Sequence, residues 1–393
     1  MRLALRARAC SARLCRVDAG CSRRMSTHPP PLEPIGSLLE EEAMMRDAAR
    51  SFARDEVAPR CRAMDEAGKM EGELIEALFH RGFMGIEVDE NYGGSGSSFT
   101  AALLVVEELA RADPAVSVMV DIHNTIVNNC FSAWASLSLK EEWLPKLAST
   151  TLGAFALSEA GSGSDAFALK TTARREGDEF VLNGEKMWIS NSSEAGVFLL
   201  MANSRPDAGY KGITCFVVPA DSLGLTVGRR EDKLGIKASS TCPIRLEDVR
   251  VPASNILGTE GMGYKYAIDI LNEGRIGIGA QMVGLAQGAL DLCLPYLHER
   301  KQFGTAIADF QGVQHQVAQI CTELQAMPTP LNASFCTPSR SRLLVYNAAR
   351  MKERGQPIVK EAAMAKLFSA QVAERTASKC VELMGGVGFT KDY

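Results

Sequence analysis

Three stretches of the chain combine residue types that could hold and work on a ligand. The first is Leu157, Ser158, Glu159, Ala160, Gly161, Ser162, Gly163, Ser164, Asp165 and Ala166, a glycine- and serine-rich run that follows an apolar one. Such a loop presents backbone N–H groups and hydroxyls at close range, as a pyrophosphate requires, although a plain turn has the same composition. Its Gly161-x-Gly163-x-x-Ala166 spacing mimics a dinucleotide fingerprint, but that fingerprint must open a helix inside a βαβ unit. Residues 167–174 read as a strand, so a Rossmann domain is rejected. The second stretch, Asn183 to Asn191, sets Trp188 and Ile189 beside the hydroxyl of Ser190, after an Asn183-Gly184 turn. Trp188 is either core or the wall of a flat heterocycle whose polar edge Ser190 and the backbone would bond. The third runs from Tyr296 through Arg300, Gln302 and Phe303 to Phe310 and Gln311. It gathers a cation and two amides at a helix end, which is also how a capped, solvated terminus reads.

The hydrophobic periodicity says what must position these stretches. After the proline-rich joint at 28–34, Met44, Met45, Ala48, Ala49, Phe52 and Ala53 recur at helical spacing, followed by helical runs at 74–79, 101–110 and 116–129. Between about 153 and 257 the texture changes to short alternating or β-branched runs at 168–174, 179–182, 196–202, 212–218, 225–227 and 244–251. Turn residues separate them, which fits an antiparallel β domain. From Gly261 the pattern is helical again: Ile278, Met282, Leu285, Ala289 and Leu292 step by three and four, and Ala365, Phe368, Val372 and Leu383 form a second stripe of bundle core. The expected architecture is therefore multidomain α and β. It comprises a leader and linker over 1–33, an N-terminal α domain over 34–150, a middle β domain over 151–258 and a C-terminal α-bundle over 259–393. Residues 327–341 carry three prolines between two helical stretches and read as a loop or an insertion.

Composition narrows the function. With 46% hydrophobic and 23% charged residues, a disordered or fibrous chain is excluded. Acidic residues number 47 against 43 basic ones, a net charge of -4 that does not suggest a nucleic-acid binder. The longest apolar run, around 278–294, is broken by Gln281, Gln287 and Asp291, so no membrane span is expected. The first 25 residues hold Arg2, Arg6, Arg8, Arg13, Arg16, Arg23 and Arg24, with Asp18 the only acid. Such a leader reads as a mitochondrial transit peptide or a basic tail. Eleven cysteines form no Cys-x-x-Cys pair and the five histidines are isolated, so neither a metal nor a disulfide framework is expected.

The motifs also stand in an order that resembles one family. Asp89-x-x-Tyr92-Gly-Gly, the 157–165 loop, Lys186-Met-Trp-Ile-Ser190, Arg300-x-Gln-Phe-Gly304 and Glu382-Leu-Met-Gly-Gly-Val-Gly388 together resemble the flavin-dependent acyl-CoA dehydrogenases, from about residue 39 to 393 apart from 327–341. Residues 84–89, 239–243 and 271–277 resemble most the branch acting on short and branched acyl chains. The resemblance implies FAD as cofactor, acyl-CoA as substrate and electron-transfer flavoprotein as electron acceptor. It further implies a homotetramer in the mitochondrial matrix. By position, the 157–166 loop would hold FAD, with Trp188, Ile189 and Ser190 on the isoalloxazine. Arg300, Gln311, Glu382, Leu383, Met384, Gly385 and Gly386 would bind the adenosine diphosphate part, some of them from a neighbouring subunit. Ala166, Tyr210, Tyr264, Asn272, Glu273, Gly274 and Arg275 would line the acyl-CoA site. The implied reaction is α,β-dehydrogenation of an acyl thioester, in which a carboxylate takes the α-proton while the β-hydrogen leaves as hydride. The developing enolate charge needs hydrogen bonds at the thioester oxygen.

The sequence departs from the family pattern at three places. Most members carry the base as the Glu of a Tyr-Glu-Gly motif beyond the Gly385-Gly-Val-Gly388 loop, and the sequence ends at Tyr393. A second branch carries it just before the arginine matching Arg275, where this chain has Gly274. Glu273 is adjacent but lies about 100° away around the helix. The expectation is that no residue present is the catalytic base and that the chain as written is an impaired enzyme. Residues 327–341 interrupt a helix that is continuous in the family, as a functional insertion or an incorrectly joined exon. Residues 137–142 also differ and are expected at a surface loop. Two other classes compete: an FAD- or acyl-CoA-binding protein that lacks the base, and an oxidase. An arginine-rich leader and the lack of a Ser-Lys-Leu ending argue against the oxidase.

Overall fold

The computed structural model describes residues 37–324 and 340–391. The basic leader, the joint at 28–34 and all of 327–341 except its last two residues lie outside them. Seven helices come first: α1 (Glu40–Phe52), α2 (Cys61–Ala67), α3 (Gly72–His80), α4 (Phe99–Ala112), α5 (Pro114–Asp121), α6 (Asn129–Trp134) and α7 (Leu137–Ser149). Single polar residues start several of them. Ser98 Oγ accepts the Ala101 N–H at 3.0 Å to open α4, and Asp113 accepts the Ala115 N–H at 2.7 Å to open α5, with Pro114 in the first turn. Each cap satisfies a donor that the first helical turn leaves open. Ser136 Oγ does the same for Leu139, and Leu139 is buried. Residues 137–142, expected as a surface loop, are therefore the opening turns of α7.

The run read as one helix over 116–129 is interrupted. Residues Ile122–Asn128 wind as a π-helix, a wider turn that brings a polar set inward. His123 is fully buried there, and burial holds its imidazole down to about 4. Neutral, it lies 2.9 Å from the Leu147 carbonyl through Nε2 while Nδ1 accepts the Gly153 N–H at 3.0 Å. One side chain thus ties the end of α7 to the first strand.

The strands are β1 (Gly153–Ala156), β2 (Thr172–Glu176), β3 (Glu179–Ser190), β4 (Val197–Asn203), β5 (Ile213–Pro219), β6 (Leu225–Val227) and β7 (Thr241–Pro252). They form one sheet in the order β1-β4-β2-β3-β7-β6, with β5 also paired to β4. Most pairs are antiparallel as the sequence predicts, but β1–β4 and β2–β4 are parallel, so the sheet is mixed. On β4, Phe198, Leu200 and Ala202 enter one core cluster and Val197, Leu199 and Met201 the other. Burial on both faces is why this strand reads as a continuous apolar run rather than an alternation. Residues 168–171, expected as strand, lie before β2.

The C-terminal part holds α8 (Gly263–Glu299), a short hairpin of β8 (Lys301–Gln302) and β9 (Thr305–Ala306), α9 (Gln311–Leu324), α10 (Arg340–Glu353) and α11 (Val359–Met384). By length and composition α8 could cross a bilayer, but most of its apolar window is buried inside the protein. Its glycines explain how closely it packs. A Cβ on Gly284 would fall 2.1 Å from the Glu107 carbonyl oxygen, and one on Gly288 would fall 2.2 Å from that of Arg111. The α4 backbone lies directly against α8 at these points. Arg342 Nε to Glu107 at 2.8 Å and the Tyr346 hydroxyl to Glu107 at 3.0 Å join α10 to α4. Arg350 to Glu42 joins it to α1 at 2.6 Å.

Asp121, at the end of α5, is almost wholly buried and accepts a hydrogen bond from Thr125 Oγ1 at 2.9 Å. A Cβ on Gly277 of α8 would lie 1.9 Å from the same carboxyl oxygen. Burial pushes this carboxyl up to about 7. The folded chain therefore keeps a proton that the unfolded chain has already released. The group costs stability progressively as pH rises from about 4 to about 7, and the cost is complete above that window. Asp121→Asn abolishes the titration. Relative to the parent, its unfolding free energy should climb across the window and level off beyond it, by up to about 4 kcal/mol. Urea denaturation at several pH values measures this, and a pH-independent difference would refute it.

Candidate functional site

Lys186 has no exposed surface, yet it carries an ammonium. From β3 its Nζ donates to the Leu157 carbonyl at 3.1 Å and to Glu159 Oε1 at 2.9 Å. Glu159 also accepts the Lys170 N–H at 2.6 Å, the Thr171 N–H at 3.0 Å and the Thr171 hydroxyl. The pair therefore joins the start of the 157–166 loop, the residues that follow it and the sheet. Burial pulls the Lys186 ammonium down to about 8, against the attraction of Glu159. Burial would raise Glu159, but Lys186 and the backbone donors outweigh it and hold the carboxyl low. Within the loop, Glu159 and Ser162 exchange backbone hydrogen bonds of 3.0 Å each, and Ser162 Oγ donates to the Asp165 carbonyl at 2.8 Å. Ser162 is buried while Ala160, Gly161, Gly163, Ser164 and Asp165 face solvent. Nothing lies within 4 Å of a Cβ built on Gly161 or Gly163, so their backbones are open to a ligand.

Two residues beyond Lys186 the strand breaks register. Lys186 pairs with Ile244 and Ile189 with Cys242, so β3 carries one extra residue there, a β-bulge. Trp188 occupies it with φ 62°, a conformation that costs a non-glycine residue on the order of 1 kcal/mol. The consequence is that a large aromatic stands 56% exposed beside the loop, to which the Met187 N–H is bonded through the Ser158 carbonyl at 2.9 Å. Trp188 is thus not core. Ile189 is buried in the sheet and offers a ligand only its backbone, and Ser190 is half-buried.

Past Asp165 the loop leads to an aromatic group. Phe167 stacks near Tyr210 at 6.5 Å between ring centroids, and Tyr264 meets Tyr210 edge-on at 5.2 Å. Asp165, Phe167, Ala168 and Tyr210 line an open cleft of about 430 Å³, within the range of small-ligand sites. Half-buried Ala166 sits between this cleft and the loop. Tyr210 and Tyr264, distant in sequence, meet around Phe167, the residue after Ala166. Phe167 completes the group and was missed in the sequence reading, although an aromatic directly after the loop was a usable signal.

Farther along α8, Asn272 is buried and its Oδ1 accepts from Arg275 Nη1 at 2.6 Å, leaving Arg275 exposed but oriented. Gly274 is buried, and a Cβ there would meet Ile126 Cδ1 of the π-helix at 3.1 Å. Glu273 turns the other way, to Lys352 at 2.9 Å and Asn129 at 2.8 Å. Its carboxylate is occupied by those donors rather than aligned with Arg275.

The remaining residues gather elsewhere. Arg300 caps the far end of α8, Gln311 opens α9, and Glu382 to Gly386 close α11, where Leu383, Met384 and Val387 pack with Leu297, Ile307 and Val313. Phe303 and Gly304, at φ 53° and 82°, turn the hairpin between β8 and β9. Along α8, Arg300 lies about 37 Å from Arg275. One chain thus presents two separated groups: the loop, Trp188 and the aromatic cleft in one, Arg300, Gln311 and 382–386 in the other. The first group can wall a flat ring with Trp188, offer N–H groups to a phosphate at Gly161 and Gly163, and receive an elongated ligand against Phe167, Tyr210 and Tyr264.

Comparison with known proteins gives this arrangement a family. Three family models match in order: the acyl-CoA dehydrogenase N-terminal domain at 39–151, its middle domain at 154–249 and its C-terminal domain at 261–334 and 336–393. The mitochondrial short/branched chain specific acyl-CoA dehydrogenase of Rattus norvegicus is 52% identical over 360 residues, 92% of this chain and 80% of that protein. A solved structure described as the electron transferring flavoprotein of Acidaminococcus fermentans superposes with a TM-score of 0.86 at 36% identity, covering 91% of this chain and 90% of that one. A glutaryl-CoA dehydrogenase from Mycobacterium smegmatis in complex with FADH2 gives 0.82 at 28% identity, covering 91% and 87%.

The ion pair makes the loop testable without a ligand. Lys186→Met leaves the Glu159 charge buried and uncompensated, and should lower the unfolding free energy by about 3–5 kcal/mol in chemical denaturation. Lys186→Met/Glu159→Gln should regain part of that, since no buried charge is left unpaired. A single variant as stable as its parent would show that the pair does not hold the loop.

Proposed function

The chain belongs to the acyl-CoA dehydrogenase family, whose members are FAD enzymes, and from that membership we propose that it oxidises short, branched acyl-CoA thioesters, such as 2-methylbutanoyl-CoA, to their 2-enoyl products. The observation that carries this reading is the loop 157–166 itself. It runs from an exposed, strained tryptophan to an aromatic cleft, and is locked at its base by Lys186. An exposed flat ring, unobstructed glycine N–H groups and a cleft in sequence match the parts of a flavin nucleotide beside a thioester.

Bound FAD would supply the hydride acceptor for the β-hydrogen. The chain supplies the rest. Trp188 covers one edge of the flat ring, with Ser190 and the backbone at Ile189 beside it. The N–H groups of the loop hold phosphate oxygens, and the Ala166 backbone lies at the junction with the substrate. Phe167, Tyr210 and Tyr264 pack on the acyl-CoA and exclude water, while Asn272 holds Arg275 at the rim. Gly274 packs close to Ile126, where even a Cβ would sit at 3.1 Å, and in this reading the lack of a side chain at this turn is what admits an α-branch. Glu273, held by Lys352 and Asn129, is not the proton acceptor in this reading.

The second group fits the same cofactor in a different copy. Arg300, Gln311, Glu382, Leu383, Met384, Gly385 and Gly386 lie at the far end of α8, so their adenosine diphosphate would come from a flavin seated on a neighbouring chain. A homotetramer supplies such neighbours. Electron-transfer flavoprotein is the proposed electron acceptor, a reading supported by the Acidaminococcus fermentans relative. The arginine-rich leader and the mitochondrial rat relative support the matrix as its location.

FAD-loaded protein titrated anaerobically with 2-methylbutanoyl-CoA should lose its visible flavin absorbance, but at least about 10³-fold more slowly than a family member with its base in place, since neither Glu273 nor Gly274 offers a carboxylate free to take the α-proton. Retained FAD with no bleaching would favour a flavin protein that binds acyl-CoA without oxidising it, and peroxide release would favour an oxidase. Gly274→Glu should lower activity on branched relative to straight thioesters by at least about tenfold, the scale on which pocket volume discriminates. An unchanged ratio would remove Gly274 from specificity.

A further inference from the structure

Side chains from five parts of the chain meet beside the turn of α8 that carries Asn272 to Arg275. Lys352 of α10 places its Nζ 3.1 Å from Glu87 Oε1 and 2.9 Å from Glu273 Oε2. Asn129 of α6 donates through Nδ2 to the same two carboxylates, at 2.9 Å to Glu87 and 2.8 Å to Glu273. The ring of Phe99 on α4 lies under the ammonium, 3.6 Å from ring centroid to Nζ. None of the three charged side chains is more than 21% exposed. Their interactions are therefore screened less than those of a surface pair.

The arrangement reaches the candidate site through the backbone of α8. Asn272 orients Arg275 on one side, and Glu273 anchors the intervening residue on the other. Gly274 is held between these two attachments, against Ile126. We propose that Lys352 is a positioning residue of the acyl-CoA site: by clamping Glu273 against Glu87 and Asn129, it fixes the turn 272–275 for the acyl end of the ligand. The inference rests on the reading of that turn as acyl-lining given above.

Removing the ammonium leaves two carboxylates facing each other across one amide. Burial already pushes the Glu87 carboxyl up, opposed by Lys352 and Asn129 and reinforced by Glu273. The Cys130 thiol is the other titratable group against Glu273. Without Lys352 the Glu87 carboxyl, which burial already pushes up, loses its cation and faces Glu273 across one amide, so the turn is displaced further as Glu87 ionises.

The test uses the FAD-loaded full chain and calorimetric titration with 2-methylbutanoyl-CoA and with CoA alone. Lys352→Met should weaken binding of the thioester about tenfold or more while leaving that of CoA within about threefold, and Lys352→Arg should stay within about threefold of the parent for both. The weakening in Lys352→Met should grow as pH rises and Glu87 ionises. It should shrink and become flat in Lys352→Met/Glu87→Gln, where only one acid remains. Thioester binding by Lys352→Met equal to the parent's overturns the proposal. So does an equal loss of thioester and CoA, or a loss that neither Lys352→Arg nor the double variant rescues. A parent that binds CoA but not the thioester refutes instead the acyl-lining reading, and this proposal with it.

Discussion

A lysine shut away from water must find fixed acceptors or give up its proton, and Lys186 finds them in the Leu157 carbonyl and Glu159. This one constraint decides the shape of the glycine-rich loop. Gly161 and Gly163 leave that segment with more backbone freedom than any other residues would, and ordering it costs entropy. The carboxylate of Glu159 offsets that cost by gathering Lys186, Lys170 and Thr171 around one point. What remains outside the knot is the short, exposed arc from Ala160 to Asp165. The arc is thus held at its base and at Ser162, whose N–H bonds the Glu159 carbonyl, while the backbones of Gly161 and Gly163 stay open on its outer side.

A second constraint acts through α8. Its glycines at 284 and 288 let the α4 backbone approach to contact distance, and Gly277 makes room for the Asp121 carboxyl. At 37 residues, α8 is about 55 Å long and carries two separated groups of candidate residues, the turn 272–275 near its start and Arg300 at its end. Largely buried ion pairs tie α10 to other segments around it: Arg342 to Glu107 of α4, Arg350 to Glu42 of α1, and Lys352 to Glu87 in the segment before α4. Desolvation takes back much of the Coulomb attraction in such pairs. Here they connect helices far apart in sequence, so their effect is on which partners dock more than on how tightly.

Much of this was legible in the residues. Ser98, Asp113 and Ser136 announce helix starts because the cap is a local interaction, and the helix–sheet–helix order follows from a change of hydrophobic period. The strand β6 is found at 225–227 as the pattern has it, since turn residues bound it on both sides. Other features were illegible because their cause is tertiary. Nothing in Lys186 or Lys352 as residue types says that one is wholly buried and the other bridges two acids. The parallel pairing of β1 with β4 depends on a crossover that no local pattern encodes. The π-helical turns at 122–128 keep helical composition while shifting every side chain after Asp121 around the axis. Tyr210 and Tyr264 were picked out only by resemblance; their meeting with Phe167 is a property of the fold.

Several local rules are broken together at two places, while single left-handed residues such as Ile236 and Asp248 lie elsewhere. On β3, a buried ammonium and a left-handed tryptophan stand two residues apart, joined by a bulge. Between the π-helix and α8, a buried acid and the crowded residue Ile126 face two glycines one turn apart, Gly277 and Gly274. Each violation costs stability by itself, so each persists only where surrounding packing over-determines it. The sheet around β3 and the helices around α8 each bury large apolar clusters, with β4 and β5 buried on both faces. The departures therefore sit where packing can hold them: at Trp188 one turns an aromatic outward beside the loop, and at Gly277 another makes room for the Asp121 carboxyl. The same elements that make the core rigid are what allow the site its unfavourable geometry.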